Sequence, residues 1–370
     1  MATPDHPFLH LAAPHIAGLT PYVPGKPLSE LERELGISAA VKLASNENPL
    51  GCGEAAQAAF RDCSAGLGLY PDGGAFALRR AIAEHHGLDP AQVTVGNGSN
   101  DVLDLVARTF LQPGAESVFS AHAFAVYPIA TQAVGATARV APARRYGHDL
   151  DAMAALVGER TRVVWIANPN NPTGTWLGAG PLRAFLQGLP AQVIAVVDEA
   201  YFEYVEAPDY PDTSRWLTDF PNLIVTRTFA KVHGLAALRV GYGLSHPAVA
   251  ELMNRVRHPF NVNAPAQAAA AAALGDRAHV RRSVDHNRAE MARVTAGLAD
   301  LGLDYIPSVC NFVTADLGRP AGPVDAALLR RGVICRPVAN YGLPNHLRIS
   351  IGLGHENARL LTGLAEVLRG

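Results

Sequence analysis

Apolar and polar positions change rhythm twice along the chain. The first 45 residues are rich in Pro and Gly around PYVPGKPLSE, and only Leu28–Leu35 carries a helical repeat. From about residue 55 to 112 helical spacing dominates, interrupted by the YPDGG turn at Tyr70–Gly74. Short apolar runs are set among and after these helices: VTV at 93–95, ESVFS at 116–120, RVVWIA at 162–167, VIAVVD at 193–198 and NLIVTR at 222–227. Runs of this length, bounded by turn residues and separated by helical segments, read as buried parallel strands of an α/β sheet. After about 265 an Ala-rich helical stretch (265–302) leads to strand-like CNFVTADL, GVICRPV and HLRISIG and a closing helix at 354–369. AQAAAAAAL at 266–274 is a strong helix former, not a disordered linker. The pattern predicts a large α/β domain over residues 46–264 and a smaller α+β domain over 265–370, preceded by a segment spanning 1–45.

Composition narrows the partners. A chain of 370 residues is long for one domain, which agrees with the two textures. Its formal charge of -2, without basic runs, argues against nucleic acid or an anionic membrane surface. No apolar stretch approaches the roughly 20 residues a membrane span needs. MATPDHPFLHLAAPHI lacks the basic start and apolar run of a signal peptide. Cys52, Cys63, Cys310 and Cys335 show no CxxC pairing, so reduced thiols in a cytoplasm are expected. The histidines, His85–His86 included, lack metal-ligand spacing, and no metal is expected. One count bears directly on chemistry. Of 31 basic residues three are lysines, Lys26, Lys42 and Lys231, and the other 28 are arginines, which cannot form an imine.

Open α/β sheets place ligands at the carboxyl ends of their strands. Asp198 closes VIAVV, and a carboxylate ending a buried apolar strand needs a partner. Lys231 lies just beyond NLIVTRT, and Asn171 lies in NPNNPTG after RVVWIA. VTVGNGSND presents a strand, Gly96, Gly98 and then Ser99 as the N-cap of a helix running to Leu111. That arrangement aims backbone N–H groups at an anion. Each feature also has a plainer reading. GNGSND is equally a tight turn, NPNNPTG a rigid one, Asp198 a helix cap and Lys231 a solvated lysine. Together they bring an anion cradle, an amide, a carboxylate and a lysine to four strand ends in order.

NPNNPTG, DEAYFEY, the lysine of TFAK and the arginine eight residues later in GLAALRVGYG resemble the fold-type I aminotransferases that depend on pyridoxal 5′-phosphate (PLP). PYVPGKP, KLASNENPLG, YPDG, FAVYP, RHPFNVN and LRISIG resemble the histidinol-phosphate aminotransferase branch, from about residue 20 to the end. The resemblance implies a large domain with a mostly parallel central sheet flanked by helices, a smaller α+β domain, and a leading segment packed on the small domain and active site. It implies that Lys231 holds PLP as a Schiff base and shuttles the substrate's proton. Asp198 would pair with the pyridine nitrogen, Tyr201 and Asn171 with the phenolic oxygen, and Phe124 would stack on the ring. Gly98, Ser99, Thr228 and Arg239 would bind the phosphate, joined by Tyr70 of a neighbouring subunit in a homodimer. Desolvation beside cationic Arg239 would lower the Lys231 pKa. Ala230 stands where relatives often carry serine, and His122 where many have a Pro-Thr lead-in to the stacking aromatic.

By the same resemblance Arg348 takes the substrate carboxylate, with Arg336, Tyr22 and Asn46 lining that pocket. A planar guanidinium suits carboxylate and phosphate alike. The implied reaction is ping-pong exchange of an amino group between L-histidinol phosphate and 2-oxoglutarate, through a pyridoxamine-phosphate form. An aromatic aminotransferase and, more remotely, a phosphothreonine decarboxylase share this outline. A nicotinamide dehydrogenase would need an acidic ribose ligand about 20 residues beyond GNG, where Glu116 begins a strand instead of ending one. A DNA-binding regulator would need a basic module that the first 45 residues do not supply.

Overall fold

The apolar runs assemble into a seven-stranded sheet. Its strands are β1 Val93–Gly96, β2 Glu116–Ser120, β3 Thr137–Ala141, β4 Thr161–Ala167, β5 Ile194–Asp198, β6 Leu223–Thr228 and β7 Gly241–Ser245. Their order in the computed structural model, which describes residues 7–369, is β1-β7-β6-β5-β4-β2-β3. Residues 1–6 and 370, at the outer ends of the expected leading segment and small domain, lie outside the described residues. Strand β7 runs antiparallel to both its neighbours, and the other pairings are parallel. All strands except β7 therefore end at one edge of the sheet.

Consecutive residues of the central strands serve opposite faces, which explains why their apolar runs are unbroken. Val164 and Ile166 pack with Ala195, Val197 and Val225 on one face. Val163 and Trp165 pack with Ile194, Val196 and Ile224 on the other. Two strands lay outside the sequence expectation. β3 sits at the sheet edge with most of its residues in contact with water, so it needs no apolar run. β7 carries Gly241, whose added Cβ would lie 2.4 Å from the backbone N of Ser99. Only glycine allows that approach of two backbones.

The expected helix over 265–302 is two helices, α4 Ala264–Gly275 and α5 Arg277–Asp300, in addition to α1 Leu28–Leu35, α2 Ser99–Phe110, α3 Val126–Ala133 and the closing α6 Gly354–Arg369. The break follows Gly275, where the Asp276 carboxylate accepts from the His279 N–H at 2.9 Å and caps α5. Helix α4 was expected to open the small domain, but Ala266, Ala269, Ala270 and Ala273 pack into the core of the large sheet. Helix α5 leads to a second, antiparallel sheet of β8 Asp304–Ile306, β9 Phe312–Asp316, β10 Arg336–Pro337 and β11 His346–Ser350, ordered β8-β9-β11-β10. Val294 and Leu298 of α5, Leu360 and Leu364 of α6, and Leu347 and Ile349 of β11 share its core with Val41 and Leu43. Val41 and Lys42 pair in parallel with Val333 and Ile334, tying the leading segment to this lobe. No helix among the described residues is long and apolar enough to cross a membrane.

Candidate active site

The shared edge where β1, β4, β5 and β6 end opens onto β11 of the small sheet. Between them lies a cavity of about 180 Å³ lined by Tyr22, Asn46, Ser99, Phe124, Asn171, Asp198, Tyr201, Thr228, Lys231, Arg239, Arg336 and Arg348. Ser45, Asn100 and Ala230 also line it. Twelve expected site residues thus come together from every part of the chain. Gly98 lies immediately behind, under the guanidinium of Arg239. Tyr70 stands apart: it is 83% exposed and stacks on Phe260 with ring centroids 4.8 Å apart.

The three lysines differ in what they touch. Lys26 is paired with Glu30 at 2.9 Å and Glu34 at 2.6 Å, and Lys42 with Glu47 at 2.7 Å. The Lys231 ammonium donates instead to the neutral carbonyl of Ser45 at 3.0 Å. Loss of water contact, then the charges of Arg348 and Arg239, lower its pKa to about 7, against an opposing pull from Glu47. Arg239 was expected to supply the neighbouring charge, yet Arg348 weighs more heavily. Either way Lys231 has an unprotonated amine available near neutral pH.

Asp198 ends β5 and is buried. It caps no helix. Its Oδ1 accepts from the Thr226 hydroxyl at 2.9 Å and its Oδ2 from the Tyr127 hydroxyl at 3.0 Å. Burial pushes the carboxyl pKa up, while these donors and the Ala200 N–H oppose the rise. Neither Tyr127 nor Thr226 was singled out from the sequence. A signal existed for Thr226, which shares a strand face with Thr228 two residues on. Tyr127 lies in FAVYP, but nothing local points it at a carboxylate 71 residues away.

The anion cradle differs in one detail from its sequence reading. Gly98, not Ser99, is the N-cap of α2, with φ 82° and ψ 165°, and Ser99 is the first helical residue without a side-chain capping bond. A side chain at Gly98 would collide with Arg239, since its Cβ would lie 2.4 Å from Nη2. Helix start, Arg239 and Thr228 therefore converge where only a bare backbone fits. The Thr228 hydroxyl oxygen accepts from the Ala230 N–H at 3.1 Å, which leaves its proton free to donate. This concentration of N–H groups and positive charge suits a phosphate. Glu116, the residue a dinucleotide site would have required, is buried against Arg160 at 2.6 Å and Arg139 at 3.5 Å.

Opposite the lysine, Arg348 projects from β11. Its Nη1 donates to Asn171 Oδ1 at 2.6 Å and its Nη2 to the Ala44 carbonyl at 2.6 Å, while its buried Nε has no partner. The Asn171 oxygen is thereby occupied, which leaves its N–H groups as donors. Asn46 is similarly oriented: its Oδ1 accepts from Ser350 at 2.9 Å, and its Nδ2 donates to the Tyr201 oxygen at 2.9 Å. The Tyr201 proton is then free for a ligand. Arg336 lies at the mouth, its guanidinium 5.7 Å over the Tyr22 ring and its Nη2 donating to the Val23 carbonyl.

An amine whose pKa is lowered to about 7, set between a cradle of backbone N–H groups with Arg239 and a second guanidinium, is equipped to carry amino groups between carbonyl carbons. The chain belongs to the aminotransferase class I and II family, which matches residues 38–364. It is 61% identical over 363 residues to a histidinol-phosphate aminotransferase of Pseudomonas fluorescens, covering 98% of each chain. It is 57% identical over 364 residues to one of Methylococcus capsulatus, covering 97% of this chain and 98% of the other. The crystal structure of the histidinol-phosphate aminotransferase of Sinorhizobium meliloti, in complex with pyridoxal-5′-phosphate, matches with a TM-score of 0.89 at 32% identity over 97% of both chains. Within the family, the chain falls in the histidinol-phosphate aminotransferase branch.

Proposed function

We propose that the protein transfers the amino group of L-histidinol phosphate to 2-oxoglutarate, giving imidazole-acetol phosphate and L-glutamate, with PLP as cofactor. The observation that carries the reading is Arg348 facing Lys231 across one small cavity, with an N–H still unpartnered. A planar guanidinium can take glutamate's carboxylate in one half-reaction and the other substrate's phosphate in the next. The residues fit the cofactor. The bare backbone under Arg239 is a cradle that a Cβ would fill, and the Asp198 carboxylate is buried without a cationic partner.

Bound there, PLP supplies an electrophilic carbon and an electron-accepting ring. Gly98, Ser99, Thr228 and Arg239 bind its phosphate, and Phe124 covers the ring face. Tyr201 and Asn171 donate to its phenolic oxygen, using the protons that Asn46 and Arg348 leave free. Asp198 holds a proton at the ring nitrogen. Lys231, with its pKa lowered to about 7, accepts the proton from the substrate carbon and returns it. Arg336 and Tyr22 orient the far end of the substrate at the cavity mouth.

The reading includes a homodimer in which Tyr70 reaches the partner's phosphate. Leu67, Leu69, Tyr70 and Phe76, close together in sequence, are each about two-thirds exposed or more, and exposed apolar side chains of this size favour burial against a second copy. A cytoplasmic setting accompanies it, in keeping with four free cysteines. The test is half-reaction spectroscopy of the purified holoenzyme. L-Histidinol phosphate and glutamate are expected to bleach the cofactor's visible band quickly. Bleaching by phenylalanine without bleaching by L-histidinol phosphate would instead assign an aromatic aminotransferase, and carbon dioxide release without need of 2-oxoglutarate a decarboxylase.

A further inference from the structure

Asp198 is held by two hydroxyls that reach it from different directions. The parallel register of β5 and β6 sets Thr226 directly beside Asp198, and its hydroxyl donates to Oδ1 at 2.9 Å. Tyr127 comes from the first turn of α3 and donates to Oδ2 at 3.0 Å. Its ring has no freedom to swing away. It is fully buried, stacked on Trp165 with centroids 5.3 Å apart and planes 5° from parallel. It also meets Phe124 edge-on at 5.9 Å and 87°, and Phe119 at 6.4 Å and 58°. One aromatic side chain therefore braces Phe124, which would cover the cofactor ring, and grips the Asp198 carboxylate, which would pair with the ring nitrogen.

We infer that Tyr127 is a positioning residue for the transamination reaction: with Thr226 it fixes the Asp198 carboxylate in orientation and keeps it ionised, so that the pull on a proton at the cofactor's ring nitrogen depends on these two hydroxyls. The inference rests on the reading of Asp198 given above. Its physical basis is the burial of Asp198, which favours the neutral acid and is opposed by hydroxyls donating to the charged form. A carboxylate that loses one donor in a dry site becomes harder to keep ionised and freer to rotate. The ring nitrogen then holds its proton less firmly. A positive ring nitrogen disfavours a second proton nearby, so weakening it raises the pH at which the holoenzyme chromophore loses its proton.

The test compares Tyr127→Phe, Thr226→Val, their double variant and Asp198→Asn, each as holoenzyme. The readouts are the pH titration of the visible band, the dissociation constant for PLP added back to apoprotein, and kcat against KM. Tyr127→Phe keeps the ring and removes only the hydroxyl. It is expected to move the titration midpoint up by about half a pH unit or more, and to lower kcat roughly tenfold with KM little changed. Thr226→Val is expected to act in the same direction, and the double variant to approach Asp198→Asn. Should Tyr127→Phe fail to fold, Thr226→Val reads the same shift. If Asp198→Asn moves the midpoint and PLP affinity while neither single hydroxyl variant moves either, the inference is overturned and Tyr127 only packs. If Asp198→Asn itself leaves both unchanged, the reading of Asp198 fails first.

Discussion

The large sheet delivers its groups to the cavity from the ends of four strands, whereas the small sheet delivers Arg348 from the middle of one. Strand ends on the large sheet are set by a core packed on both faces, so Asn171, Asp198 and Lys231 are held by the fold itself. Arg348 belongs to a lobe with its own core. Its place over the cavity depends on bonds across the cleft, to Asn171 and to the Ala44 carbonyl. The Thr314 hydroxyl adds a bond to the Pro172 carbonyl, and the Val309 N–H one to the Gly174 carbonyl. Asn171, Asp198 and Lys231 are thus placed by the packing of the large sheet, and Arg348 by contact between the two lobes.

Substitutions on the two walls should separate accordingly. Lys231→Ala removes the amine proposed to hold the cofactor and move the substrate's proton, and should lose the visible band of the bound cofactor and slow transamination by about 10²–10⁴-fold or more. A variant that stays yellow and active would remove the foundation of the assignment. Arg348→Ala should cost about 1.5–3 kcal/mol in kcat/KM, for glutamate and L-histidinol phosphate alike, while the cofactor band persists. Were the loss confined to one substrate, the shared use of this guanidinium would be wrong.

Smaller effects sharpen the contrast. Gly98→Ala should displace Arg239 and weaken PLP retention by roughly tenfold, measured by equilibrium titration of apoprotein, with KM for the amino donor little changed. Lys231 in the apoprotein has a pKa lowered to about 7, so its reactive neutral amine is lost as pH falls through that value. The rate of PLP uptake should fall about tenfold per pH unit below 7 and level off above it. A rate still climbing at pH 9 would indicate an ordinary solvated lysine. Arg336→Ala is expected to have the least effect, a few-fold rise in KM, because its guanidinium is partly exposed and rides on Tyr22.

The wall that is held by one core was also the more legible in the sequence. Asp198, Asn171 and Lys231 follow apolar runs whose length and boundaries announce strands, and their chemistry stands out against an apolar background. Thr226 and Tyr127 carry no such contrast. A hydroxyl within a strand and a tyrosine in a first helical turn gain meaning only from what lies beside them. Ser99 was read as a cap because serine commonly caps helices, but the positive φ of Gly98 shifts the helix start by one residue. The continuous helix over 265–302 was plausible on propensity, which does not register the capping bond at Asp276.

By itself the sequence determined the alternation of buried strands with helices, the three lysines open to imine chemistry with Thr228 and Arg239 flanking only Lys231, and the order in which cradle, amide, carboxylate and amine reach the strand ends. These are local properties, written in periodicity and in residues a few positions apart. Only the tertiary structure decided that Arg348 faces Lys231, that Ser45 receives the lysine's hydrogen bond, and that Tyr127 and Thr226 grip Asp198. Those contacts join residues as far as 186 positions apart in the case of Lys231 and Ser45. They depend on strand register and on how two separately packed cores meet, which no local pattern encodes.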